Sequence, residues 1–106
     1  MIFLETGFRG LSKKNYYMNK NIIFVFGNFN ILHPGHLRLF QFIKSLKKEV
    51  YIGLIPDKDV EENVFINEIL RKENLDSNSL VDKCLIIENS IEETIMEYKP
   101  YAVVKG

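Results

Sequence analysis

Apolar residues in this chain fall into short unbroken runs, and the stretches between them carry a helical period. Ile22-Ile23-Phe24-Val25-Phe26 is a continuous β-branched and aromatic run, and it predicts a strand from Asn21 to Phe26 buried on both faces. Gly27-Asn28-Phe29-Asn30 ends it, and a helix begins near Pro34. In that helix Leu39, Phe42, Ile43 and Leu46 follow the i, i+3, i+4, i+7 rule. Val50 to Ile55 predicts a second strand, closed by Pro56-Asp57. Phe65 to Leu75 reads as helical with Ile66, Ile69 and Leu70 on one side. Cys84 to Ile87 reads as a third strand. Ser90 caps a helix carrying Ile91, Ile95 and Met96, and Glu93 completes a capping-box pattern. Pro100 stops this helix, and Tyr101 to Val104 forms a fourth strand. Strands alternating with helices predict an α/β fold, a Rossmann-like parallel sheet with helices on both faces.

Residues 1–20 show no clear period and are rich in turn formers, so they read as an N-terminal extension before an α/β domain at 21–106. The pattern breaks off at the tip of a buried parallel strand, where such sheets usually continue into a covering helix. The expected domain is therefore incomplete and C-terminally truncated.

Composition narrows the function classes. The 106 residues suit one small domain, with 46% hydrophobic and 26% charged residues. Fourteen basic residues balance 14 acidic ones, which argues against a general nucleic-acid binder. No stretch reaches the roughly 18 apolar residues of a membrane span. The N-terminus lacks the charge order of a signal peptide, so a cytoplasmic location is expected, with no membrane partner. The lone Cys84 sits in an apolar run and reads as a small buried hydrophobe.

The chemistry concentrates in Gly27-Asn28-Phe29-Asn30-Ile31-Leu32-His33-Pro34-Gly35-His36, which joins the first strand to the first helix. Open α/β sheets bind ligands at such junctions. Pro34 suits the first helical position, so His33 becomes the N-cap and His36 the third helical residue. Both imidazoles then stand at the helix N-terminus, beside unpaired backbone N–H groups and the positive dipole end. Gly35 leaves room for a phosphate to approach the backbone. Donors fixed there would stabilise charge growing on pyrophosphate as a nucleophile attacks the α-phosphate of a nucleoside triphosphate.

The segment resembles the signature Gly-x-Phe-Asp-x-x-His-x-Gly-His of the cytidylyltransferase-like nucleotidyltransferases. The resemblance extends through Ile52 to Asp57, through Arg71 ten residues ahead of Val81-Asp82, and through Pro100 to Gly106. It implies transfer of CMP or AMP from CTP or ATP to a phosphorylated sugar or polyol, with release of pyrophosphate. His33 and His36 would be catalytic. Gly27, Asn28, Phe29, Asn30, Gly35, Lys58, Arg71 and Gly106 would line the nucleotide, Mg²⁺ would accompany it, and a homodimer is implied. No protein side chain is expected as a resident metal ligand. Three departures stand out. Asn30 replaces the family's Asp. Between Asp57 and Arg71 the only lysine is Lys58. The family's C-terminal Ser-Thr-Thr/Ser motif should lie beyond Gly106, so little turnover is expected of the 106 residues alone. The rival expectation is a non-catalytic nucleotide-binding or subunit-interaction module derived from the same family.

Overall fold

A computed structural model describes residues 3–6, 19–60 and 66–105. Its elements run β1 (Phe3–Thr6), β2 (Asn19–Gly27), α1 (Pro34–Ser45), β3 (Glu49–Leu54), α2 (Glu68–Asp76), β4 (Lys83–Ile86), α3 (Ile91–Tyr98) and β5 (Pro100–Lys105). A 3-10 turn at Asp57–Asp59 follows β3. The sheet order is β1-β5-β2-β3-β4, with β5, β2, β3 and β4 parallel. The expected α/β parallel sheet is thus present.

β1 was not expected. It pairs antiparallel with β5, Phe3 opposite Lys105 and Thr6 opposite Ala102. Four residues among glycines and asparagines carry too little period to be read locally, and the pairing spans nearly the whole chain. In the last strand Ala102, Val103 and Val104 are all buried.

Alternation along β2 sorts the core into two layers. Ile23 and Val25 pack with Phe40 and Ile43 of α1 and Leu75 of α2. Ile22, Phe24 and Phe26 pack with Ile95 of α3. On that second face Phe24 stacks on Phe26 at 5.0 Å and meets Tyr98 edge-on at 5.2 Å. Gly53 is required there, because a Cβ would lie 2.3 Å from the Phe26 ring.

The helix faces differ from those expected. In α1 the buried residues are Phe40 and Ile43, while Phe42 and Leu46 are 55% and 42% exposed. In α2 they are Arg71 and Leu75, one turn apart, while Ile69 and Leu70 point outward. A charged residue on the buried face, fully paired, defeats a reading based on apolar period. Asn67 caps α2 through its Oδ1, which accepts the Leu70 N–H at 3.0 Å, so the helix starts at Glu68, while the expected start at Phe65 lies outside the described residues. In α3, Ser90 accepts the Glu93 N–H at 3.0 Å as expected.

The strand order fixes where a ligand belongs. From β2 the chain builds outward through β3 and β4, then α3 carries it back to β5 on the other side of β2. The connections diverge between β2 and β5, and the crevice beyond their carboxyl ends is the switch point that such sheets use for ligands. The far end of the sheet is closed by Asp82, whose carboxylate accepts the Val50 N–H at 2.7 Å and pairs with Lys44 at 2.5 Å.

Candidate functional site

The loop of residues 28–33 leaves β2 at the switch point and delivers His33 and His36 to the start of α1. His33 is the N-cap, in extended conformation. Its Nδ1 accepts the Gly35 N–H at 3.0 Å, and the Nδ1 of His36 accepts the His33 N–H at 3.3 Å. A backbone N–H can only donate, so both Nδ1 atoms must be unprotonated. Each neutral ring therefore carries its proton on Nε2 and offers it outward. The rings lie side by side, with centroids 3.9 Å apart and planes at 32°. Burial first, and the neighbouring His33 second, lower the pKa of His36. Its neutral, donating form is thereby favoured near neutral pH.

Two expectations about this site change. The first-turn N–H groups are not left unpaired: Gly35 donates to His33 Nδ1, while His36 and Leu37 donate to the His33 carbonyl at 2.9 and 3.3 Å. The donors on offer are ring Nε2–H groups, added to the helix dipole. The room at Gly35 is also taken, since a Cβ there would lie 2.7 Å from Cε1 of His33. Gly35 makes space for the histidine ring, which then covers it.

The rest of the loop is held from below. Phe29 is buried and packs against His36 and Phe40, with centroids at 5.1 and 6.2 Å. Its φ is 51°, a left-handed value that costs an L residue about 1–2 kcal/mol. Beside it Gly27 ends β2 and accepts the Ile55 N–H at 3.0 Å. A Cβ on Gly27 would press on the Phe29 ring at 3.1 Å. Asn30 holds a buried Oδ1 with no hydrogen-bond partner. An unmet buried acceptor is costly, so this oxygen calls for a donor or a cation.

Arg71 is fully buried. Its Nη1 donates to the Asn28 carbonyl at 2.5 Å, its Nη2 pairs with Asp57 at 2.6 Å, and its Nε donates to the Ile66 carbonyl at 3.1 Å. The guanidinium thus ties the loop after β2, the turn after β3 and the start of α2 into one unit. Asp57 and Glu68 reinforce it by exchanging carboxylate and backbone N–H contacts at 3.0 and 3.2 Å. Sequence reasoning did not include Asp57 or Glu68 among the site residues. Their link to Arg71 is long-range, and no local spacing rule reports it.

Lys58 does not share its recess with the histidine motif. It is exposed and lines a recess of ≈ 340 Å³ at the ends of β3 and β4, with Pro56, Glu68, Ile86, Ile87 and Glu88. A larger hollow of ≈ 400 Å³ runs along β4 and α3 past Cys84, Glu97 and Tyr98, and includes none of the motif residues. The switch point outweighs size, because the convergent donors are there. Lys105 was also missed: it is exposed at the tip of β5, in register with Phe26 beside the loop. Gly106 lies outside the described residues. Cys84 is buried, and burial pushes its thiol up to about 12, so it stays neutral.

Among the described residues no three His, Cys, Asp or Glu side chains gather to hold a metal ion, and no helix is long and apolar enough to cross a membrane. The donor set still fits Mg²⁺ that arrives with a triphosphate. Such an ion takes few protein ligands beside phosphate and water, and the unpartnered Asn30 Oδ1 is a suitable neutral oxygen.

Residues 24–106 match the model of the cytidylyltransferase-like family, and the chain belongs to that family. It is 29% identical over 106 residues to the bifunctional protein HldE of Geobacter metallireducens, covering 94% of this chain and 22% of that one. It is 30% identical over 83 residues to the FAD synthase of Archaeoglobus fulgidus, covering 76% of this chain and 61% of that one. The crystal structure of a lipopolysaccharide core biosynthesis protein from Thermoplasma volcanium shares the fold, with a TM-score of 0.66 at 24% identity over 74% of this chain and 68% of that one. The chain thus spans 22% and 61% of the lengths of these two curated relatives.

Proposed function

We propose that the β2–α1 junction binds the triphosphate of CTP or ATP, and that the activity is transfer of CMP or AMP to a phosphorylated sugar or polyol. The observation that carries this reading is the cross-capped histidine pair at the switch point. Both Nδ1 atoms are committed to the backbone, so both Nε2–H groups are fixed, and no described residue accepts from either. As an acceptor oxygen bonds to the α-phosphorus, the bond to the bridging oxygen breaks and pyrophosphate leaves with the electron pair. His33 and His36 would donate to that departing group, and donors fixed beforehand need no reorganisation as charge develops. Lys105, exposed beside the loop, would add positive charge. Asn30 Oδ1 would hold Mg²⁺, which when bound neutralises part of the phosphate charge.

A second reading is a nucleotide-binding module without turnover. It is favoured by Asn30, a neutral amide where the family has a carboxylate. Titration calorimetry with CTP and ATP, run beside a pyrophosphate-release assay on a panel of sugar and polyol phosphates, separates the two. Binding with release supports the transferase, binding alone supports the module, and no binding contradicts both.

A further inference from the structure

We propose that Arg71 is a positioning residue that sets the orientation of the Asn28–Phe29 peptide, and so aims the Phe29 N–H at the triphosphate. This inference rests on the triphosphate reading of the same loop. Among the described residues no peptide bond is cis, so the C=O and N–H of the Asn28–Phe29 unit point in opposite directions. The Asn28 carbonyl is drawn to Arg71 Nη1 at 2.5 Å, on the side of the loop where α2 packs. The Phe29 N–H must then point away from Arg71, and no described backbone or side-chain group accepts from it. A backbone donor that no protein group accepts from, at the switch point of such a sheet, is open to a ligand.

The conformation is held against a preference, since Phe29 sits at φ 51°. A bulky residue stays left-handed only where its surroundings over-determine it, and such positions cluster at ligand clamps. Here two forces do so. The Phe29 ring is packed against His36 and Phe40, and the preceding carbonyl is held by a charge-assisted bond. Arg71 is itself locked by Asp57 and the Ile66 carbonyl, and its side chain is 0% exposed. Its guanidinium is therefore spent on the protein, and it acts on a nucleotide only through the loop. Lysine could not replace it, because one ammonium on a flexible stem does not span the three acceptors in a fixed plane.

The test uses the full chain as wild type, Arg71→Met, Arg71→Lys and Asp57→Asn, each titrated with CTP and with ATP in MgCl₂. Calorimetry gives the affinity, the ¹H–¹⁵N spectrum follows the Phe29 amide, and thermal melting reports the fold. In wild type the Phe29 amide should move on binding. At temperatures where each variant is folded, both Arg71 variants should bind at least tenfold more weakly, with the Phe29 amide displaced before ligand is added and unresponsive after. Asp57→Asn keeps an acceptor on a side chain that is 43% exposed, so it should stay folded and lose affinity about threefold. Folded variants that bind as wild type does, or a Phe29 amide that ignores the nucleotide in wild type, would overturn the inference and leave the triphosphate reading standing. A wild type that binds neither nucleotide would overturn both.

Discussion

His36 caps the residue that caps its own helix: its Nδ1 accepts the His33 N–H at 3.3 Å while His33 Nδ1 accepts the Gly35 N–H at 3.0 Å. The inner nitrogens hold the backbone, and the proposed function uses the outer ones. In the proposed site structure and chemistry therefore sit on opposite atoms of the same rings, and substitutions can separate them.

Asparagine places its amide oxygen near the Nδ1 of histidine, and glutamine places its amide nearer to Nε2. His36→Asn should keep the cap and melt within a few degrees of wild type. In an active form of the protein it should lower turnover on the order of 100-fold, the usual cost of one lost transition-state donor. His36→Gln should lose the cap, about 1 kcal/mol of stability, and retain more activity. Thermal melts beside steady-state kinetics check both, and equal activity in the two variants would remove Nε2 from the mechanism.

Stability should fall in mild acid. The pKa of His36 is lowered from 6.5 by burial and then by His33, so the unfolded chain takes up the proton first as pH drops. The contribution of neutral His36 is complete above about pH 6.5 and is lost as pH falls through its folded value. Urea midpoints measured from pH 7.5 to 5 should decline in wild type and decline less in His36→Asn. Parallel curves would assign the pH dependence to other groups.

Much of this was legible beforehand. The apolar run of β2, the Pro34 start of α1 and the Ser90 cap of α3 each depend on residues within one turn or strand, so local pattern reports them. The hidden parts are those in which a distant residue decides. Arg71 is buried because Asp57 and Asn28 neutralise and bond it, which no helical period reveals. β1 exists only by pairing with β5. Local pattern presents Gly35 as open space, whereas a Cβ there would meet the His33 ring.

Gly35→Ala tests that last point. The added methyl would sit 2.7 Å from Cε1 of His33, so the ring must swing off its cap while the rest of the fold has no contact to lose. Triphosphate affinity should fall about tenfold, roughly 1.4 kcal/mol, with a melting temperature lowered by only a few degrees. Unchanged affinity by calorimetry would show that the His33 position is not needed for binding.

Asn30→Asp should separate the amide from the family's carboxylate. The buried, unpartnered Oδ1 becomes part of a charged group, which should cost about 1–3 kcal/mol without ligand. Mg²⁺ with nucleotide should restore that stability and bind at lower metal concentration than in wild type. A metal titration identical in the two proteins would make position 30 purely structural.

The most direct measurement is a long-range ¹H–¹⁵N spectrum of the two imidazoles during titration with CTP or ATP. His33 and His36 should both show the Nε2–H tautomer in the free protein at pH 7.5, and both Nε2 resonances should shift on binding while the Nδ1 resonances hold their place. Rings protonated at Nδ1, or Nε2 resonances that ignore a nucleotide shown by calorimetry to bind, would contradict a triphosphate site built on this histidine pair.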